Sequence, residues 1–381
     1  MPTLPLRRVR LLSLAAAQTA AATGGSSGDA ITAVETWNLR QPSGNRAWCL
    51  IRLATRDGRE GWGEAKPLTP EAVKSLRAAV MGMPVTAVEP IRLRLRNHPG
   101  AGAADIAALD IAAKAAKAPL YQFLGGPTRN KVRAYTSLHG STDEDLGKAL
   151  ERGRAAGFKA FSAPVPAPPF RNSGKALVLA AEHRMNALRR AAGDGYDFIL
   201  SGAGRLTAGD AALIANAFER FHLLFFDEPC ATSSLGALRK IADENVTPLG
   251  FGAGVTDSAH FQNLLREDAV DIIRPDLTTF GITGIRKIAA LAEIYYVAVS
   301  QRSGEGPVNT AAGKHLAACL PNFFIQHIPF PDAPGDREMR AALIAENVEA
   351  VENGYSALST QPGLGVTIRR EALRKYGEVI A

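Results

Sequence analysis

Six apolar runs in the second half of the chain end at residues of very different character: Ser201, Asp227, Ala253, Asp276, Arg302 and His327. Two of these are carboxylates, able to pair with a cation or accept hydrogen bonds. Arg302 offers a planar fork of donors that can grip a carboxylate through two parallel hydrogen bonds. It stays protonated, so it is no general base. Histidine can take and give a proton near neutrality, although a lone histidine at a strand end also serves as a satisfied structural residue. Ser201 contributes a hydroxyl, and Ala253 contributes only backbone.

The spacing says what must position them. The six residues recur at intervals of about 25, which is what one strand, one helix and two short loops require. The unit Tyr196–Pro229 shows it directly, with apolar runs Asp197–Ser201 and Leu223–Asp227 on either side of a helical pattern over Ala208–Phe221. Held over six units, this beat predicts a closed parallel β/α barrel, whose chemistry gathers at the C-terminal ends of its strands. Two further strands are expected upstream, Val132–Leu138 and Lys159–Ala163, with a helix over Asp143–Ala156 between them. The second runs into PVPAPPF, a proline-rich loop.

Ahead of the barrel the pattern is different. Ala30–Asn38, Trp48–Thr55 and Gly61–Glu64 read as short strands, with a hairpin signal at Asp57-Gly58. Helical patterns follow at Pro70–Met81 and Ala103–Ala116, and Pro119 stops the second. The tail returns to short β-like runs at Gly354–Leu358 and ends in a basic helix. The expected organisation is a capping unit over residues 29–126, a barrel over 127–353 and a C-terminal return to the cap over 354–381.

Composition narrows the function classes. The chain has 381 residues, 46% hydrophobic and 21% charged, with a net charge of +7. That is an ordinary soluble globular balance. The basic residues are dispersed rather than clustered, which argues against a nucleic-acid partner. A small anion at a weakly basic barrel mouth is compatible with the charge. No stretch is long and apolar enough to span a bilayer. Cys49, Cys230 and Cys319 are far apart and form neither a disulfide framework nor a metal cage. Residues 1–28 carry Arg7-Arg8 and the Ala-rich run LLSLAAAQTAAATGGSSG, the layout of a twin-arginine-like export leader or of a disordered tail. Cytoplasmic and exported locations both stay open. GFGAG at Gly250–Gly254 lacks the spacing of a dinucleotide fingerprint.

Several motifs together resemble the enolase superfamily in its mandelate racemase-like branch, on the side of the acid-sugar (galactonate-type) dehydratases. GWGEA at Gly61–Ala65 is similar to the capping hairpin, and AADIAALDIAAKAAKAPLYQFLGG to the helix and linker. FFDEP, IIRPDLTTFGITG and NFFIQH are similar to barrel strands, and PGLGVTI with EALRKY to the return to the cap. The resemblance covers roughly residues 30–381. It implies a (β/α)7β modified TIM barrel with an α+β capping domain, in a homo-oligomer. It also implies one Mg²⁺ held by three strand-end carboxylates, which stabilises the enediolate formed when a Lys or His base takes the α-proton.

Carried over residue by residue, the pattern breaks. The three ligand positions correspond to Ser201, Asp227 and Ala253, so only Asp227 keeps a carboxylate. Glu228, if strand-like, points to the opposite face. The Lys-x-Lys positions correspond to Ser162 and Pro164, while Lys159 falls earlier on its strand. The histidine position corresponds to Arg302, with Gln301 as its neighbour in register, and its partner aspartate to Asp276. The last strand closes with His327. Asp257 and Glu305, on loops, are poor substitutes for the missing carboxylates.

Three readings follow. The first is a non-catalytic or divergent descendant that binds a small carboxylate or sugar acid without the usual metal, through Ser162, Ser201, Asp227, Arg302 and His327. The second is metal-independent chemistry built on Asp227, Asp276, Arg302 and His327. The third is a Mg²⁺-dependent dehydratase that eliminates water from a sugar acid. An ion-pair network of Asp227, Asp276 and Arg302 plugging the mouth is the structural alternative. The Ser303–Pro307 loop could present backbone N–H groups to an anion, and turn geometry explains it equally well.

Overall fold

The computed structural model describes residues 28–44, 47–167, 170, 173–304 and 306–380. The Arg7-Arg8 leader and Glu305 lie outside the described residues. Three antiparallel strands open the chain: β1 (Ile31–Arg40), β2 (Ala47–Thr55) and β3 (Glu60–Ala65). The β2–β3 hairpin turns through Gly58 at φ 81°, a conformation that favours glycine. The glycines of GWGEA have another purpose. A Cβ on Gly63 would stand 1.9 Å from the Ala103 carbonyl oxygen, and one on Gly61 2.2 Å from that of Ala107. The sheet therefore rests directly on the backbone of helix Ala101–Ala115, and small residues on both sides are the condition for that approach.

The barrel begins at β4 (Lys131–Ser137) and continues through β5 (Ala160–Pro164), β6 (Asp197–Ser201), β7 (Phe226–Asp227) and β8 (Leu249–Phe251). β9 (Ile272–Ile273), β10 (Ala298–Val299) and β11 (Gln326–His327) complete it. Neighbouring strands pair in parallel from β4 to β10, and β11 pairs in parallel with β4. The ring closes where the Val299 N–H donates to Asn322 O at 2.8 Å and the Phe324 N–H donates to Val299 O at 2.8 Å. One helix connects each pair of successive strands, which gives the expected (β/α)7β order. No helix among the described residues is long and apolar enough to cross a membrane.

Three strands end where the sequence places them, at Ser201, Asp227 and His327. The other three stop earlier, at Phe251, Ile273 and Val299. At β8 the cause is Gly252, which turns the chain at φ 122°. At β9 it is Pro275, which has no N–H for a ladder. The extension persists only as an isolated bridge between Asp276 and Arg302. The tail also differs from expectation. β12 (Tyr355–Ala357) pairs antiparallel with barrel strand β4, so this part does not return to the cap. β13 (Gly377–Val379) does, alongside β1.

Cap and barrel are fastened by Glu64 of β3. Its carboxylate is fully buried and accepts the Gly306 N–H at 2.6 Å and the Asn309 N–H at 3.3 Å, at the start of helix Pro307–Cys319. The Asn309 side-chain amide donates back to Glu64 O at 3.1 Å. The backbone donor at the Gly306 end of the Ser303–Pro307 loop is thus taken by a side chain of the protein itself. Burial pushes the Glu64 acid up from 4.5 to about 8, against the two backbone donors. The folded state then holds this proton more tightly than the unfolded chain, so its contribution is complete below pH 4.5 and declines as pH rises through about 8. Melting temperatures measured across that window should fall more steeply in the wild type than in Glu64→Gln; parallel curves would contradict the assignment.

Candidate functional site

Strand alternation defines the inside of the barrel. Tyr135, Ala160, Ile199, Phe225, Ile272 and Ile325 form a buried apolar cluster, with Ala298 and Phe324 packed against it. Two residues further along, the same face carries Ser137, Ser162, Ser201, Asp227, Arg274, Ser300 and His327. Above the apolar plug there is thus a layer of hydroxyls with one carboxylate, one guanidinium and one imidazole.

Arg274 holds this layer together. It is 2% exposed, and its Nε lies 3.2 Å from Asp227 Oδ1. The contact is an ion pair off the hydrogen-bond line, since neither atom finds a directional partner. The two terminal nitrogens do: Nη1 donates to Ser300 Oγ at 3.1 Å and Nη2 to Tyr135 Oη at 2.9 Å. The guanidinium carbon also stands 5.2 Å from the Phe225 ring centre. Ser300 passes the chain on, donating to Ile325 O at 2.6 Å. Burial pushes the Asp227 carboxyl up, and Arg274 followed by Arg302 pulls it back. Although burial opposes it, Asp227 and Tyr135 shift Arg274 further towards its cation.

Among the residues singled out from sequence, His327 lies in this layer. Its Nε2 is 3.2 Å from Ser137 Oγ, and its ring centre is 5.2 Å from that of Tyr135. Ser162 is buried and Ser201 half-buried at the ends of β5 and β6. Arg302 is exposed beyond β10 and forms no ion pair with the described residues, although its charge is felt at Asp227. Gln301 is fully buried against Gly313 O, at 3.0 Å, so Arg302 is the residue at the mouth. Lys159 lies against Tyr196, 4.4 Å from the ring centre, and is no base for this site.

Three expectations are corrected. Asp276 is not a partner for the Arg302 guanidinium: its carboxylate caps helix Leu277–Ile294, accepting the Thr278 N–H at 2.7 Å, the Thr279 N–H at 3.3 Å and the Thr278 hydroxyl. Its link to Arg302 is through backbone, with Arg302 N–H to Pro275 O and Leu277 N–H to Arg302 O, both 2.9 Å. The Asp227–Asp276–Arg302 network is therefore replaced by Asp227–Arg274. Glu228 is not strand-like either; at φ 44° it turns back and accepts the Ala253 N–H at 2.6 Å. Burial first, and then Asp227, pushes its acid up to about 7. Asp257 caps its own helix through the Ala259 N–H. The thiols of Cys49, Cys230 and Cys319 are free and pushed up by burial to about 12, 11 and 11, as expected of small hydrophobes.

Arg274 is a residue of this layer that does not stand at the end of an apolar run. Its signal in the sequence is IIRPD, where Arg274 stands two positions after Ile272 on an inward-facing alternation and two before the final residue of the run. The Mg²⁺ implied by the family pattern needs several oxygen ligands in near-octahedral geometry. Here Ser201, Asp227 and Ala253 stand at the three positions, Asp227 is paired with Arg274, and Ala253 has turned its N–H to Glu228. No three or more His, Cys, Asp or Glu among the described residues are grouped to hold a metal ion. This donor set does not fit Mg²⁺. A cleft of about 740 Å³ opens nearby between cap and barrel, lined by residues that include Lys66, Arg96, Asp257 and Thr278. None of the six strand-end residues lines it.

Tyr135→Phe should cost about 1.5–3 kcal/mol, the range for a hydrogen bond to a charged group, because it strands one buried N–H of Arg274. Chemical denaturation checks this, and a change under about 0.5 kcal/mol, the usual range for surface substitutions, would contradict it.

With the geometry established, comparison with known proteins is direct. The mandelate racemase/muconate lactonizing enzyme N-terminal domain matches residues 30–125, and the enolase C-terminal domain-like family matches residues 145–372. Similar proteins include the D-xylonate dehydratase of Haloferax volcanii, 26% identical over 93% of this chain and 90% of its own length. The D-galactonate dehydratase of Klebsiella pneumoniae is 27% identical over 89% and 92%. The D-gluconate dehydratase of Thermoproteus tenax is 27% identical over 86% and 69%. Among solved structures, a mandelate racemase/muconate lactonizing enzyme-like protein from Rubrobacter xylanophilus superposes with a TM-score of 0.83 at 25% identity, covering 93% of this chain and 98% of its own. The chain belongs to the mandelate racemase/muconate lactonizing enzyme family of the enolase superfamily.

Proposed function

We propose that this protein is a divergent acid-sugar dehydratase, removing water from a small polyhydroxy acid bound at the barrel mouth. The observation that carries the reading is that an exposed Arg302, just beyond β10, and the His327–Ser137 pair, at the ends of β11 and β4, stand at the same end of the barrel. The guanidinium fork suits a substrate carboxylate. The hydroxyls of Ser137, Ser162 and Ser201 suit the hydroxyls of a sugar chain. His327 takes the proton from the carbon beside the carboxylate, and the next carbon loses its hydroxyl, which leaves as water with a proton returned from the imidazolium. The enol product then relaxes to a 2-oxo-3-deoxy acid. Dehydratases acting on gluconate, xylonate and galactonate among the similar proteins support this substrate class. No step is routed through a metal, because the donor set does not fit one. We include homo-oligomerisation in the proposal on family grounds and invoke no nucleic acid.

A second reading has its own observation. The only carboxylate kept at a family ligand position is tied to Arg274, and no lysine stands at Ser162 or Pro164. On that basis the mouth binds a carboxylate without turning it over. Incubation with D-gluconate, D-xylonate and D-galactonate, assayed for 2-oxo acid, separates the two. The dehydratase reading expects turnover that falls at least about 100-fold in His327→Ala, the typical worth of a general acid–base group, and a raised KM in Arg302→Ala. A ligand-dependent rise in melting temperature without product would leave the binding reading in its place.

A further inference from the structure

We propose that Arg274 is the resident cation of this barrel mouth: its guanidinium holds Asp227 in place of a divalent ion and leaves the mouth to receive one carboxylate without metal. The inference about the cation stands on the architecture alone; only its carboxylate clause rests on the function proposed above.

Position is the first argument. Asp227 ends β7, and Arg274 follows β9 on the same inward face, with β8 between them contributing Gly250. Glycine at this β8 position leaves that arc without a side chain. A Cβ on Gly250 would meet the Phe225 ring at 2.7 Å, so the glycine makes room for that ring, and the Arg274 guanidinium stands 5.2 Å from the ring centre where it reaches Asp227. The second argument is anchoring. Ser300, Tyr135, Asp227 and the face of Phe225 fix the guanidinium on four sides. A planar fork held at this many points is a fixed charge, not a mobile side chain that an entering ion could push aside. The third argument is charge balance. The ionisable groups facing the pair are Tyr135 below, Glu228 beside it and Arg302 above, and all of them act on Asp227 or Arg274. A second, divalent cation would meet two guanidinium groups acting on Asp227. A monoanionic ligand entering from the Arg302 side would meet that exposed guanidinium first.

Mn²⁺ is the probe, because its free-ion electron paramagnetic resonance signal disappears on binding. Chelator-treated wild type should leave the signal of added Mn²⁺ unchanged, and Asp227→Asn should do the same. Arg274→Met removes the resident charge beside Asp227 and Glu228. It should take up Mn²⁺ at least tenfold more strongly than the wild type, and Arg274→Met/Asp227→Asn should lose that gain. One Mn²⁺ per wild-type chain, abolished in Asp227→Asn, overturns the proposal. So does a folded Arg274→Met protein that binds no better than wild type. If Arg274→Met does not fold, the wild type and Asp227→Asn decide the matter. The assay contains no sugar acid, so a failure of turnover and a failure of this proposal cannot be confused.

Discussion

The contact between Arg274 and Asp227 organises the C-terminal end of this barrel. A charge pair in such a place has two requirements: it must lie over a dry floor, and the remaining donors must be met. The apolar layer of Tyr135, Ile199, Phe225 and Ile272 supplies the floor. Tyr135 and Ser300 meet the donors. Breaking a buried pair by removing one member leaves an uncompensated charge, whereas a satisfied pair is close to neutral for stability. The pair therefore does less to stabilise the fold than to define the layer, because every inward neighbour must accommodate a fixed cation. Ser300 meets it with a hydroxyl, and Gly250 makes room for the Phe225 ring beside it.

The cap is held by the same economy of charge. Glu64 meets the first turn of helix Pro307–Cys319, where free backbone N–H groups and the helix dipole favour an anion. It arrives there because Gly61 and Gly63 let β3 lie against helix Ala101–Ala115. One motif of five residues thus supplies both the close approach and the carboxylate that fastens the two units. The helix-start anion site, which in other proteins is open to a ligand, is internal here. This leaves Arg302, not the Ser303–Pro307 loop, as the positive group exposed at the mouth.

Much of this was legible in the sequence, for identifiable reasons. The barrel was readable because each strand is a short apolar run with its own stop, and because a fixed interval is hard to produce by chance. Ser201, Asp227 and His327 were placed correctly since nothing distorts β6, β7 or β11. Where backbone conformation departs from the strand, alternation misled. Glu228 lies at positive φ and so faces Ala253, and Pro275 ends the ladder so that Asp276 becomes a cap. Arg274 was hidden for a different reason: its partners Asp227, Tyr135 and Ser300 come from three other strands, and only closure of the ring brings them together. The final residue of a strand can be found by reading along the chain. A residue that reaches across the barrel cannot.

The most direct test of this account is a double-mutant cycle on Arg274 and Asp227, using denaturant unfolding of wild type, Arg274→Met, Asp227→Asn and the double variant. The account predicts strong coupling, on the order of 1–3 kcal/mol, with the double variant less damaged than the sum of the single ones because neither stranded charge remains. Additive effects would show that the two groups do not act as a pair, and the resident-cation description of the mouth would fall with them.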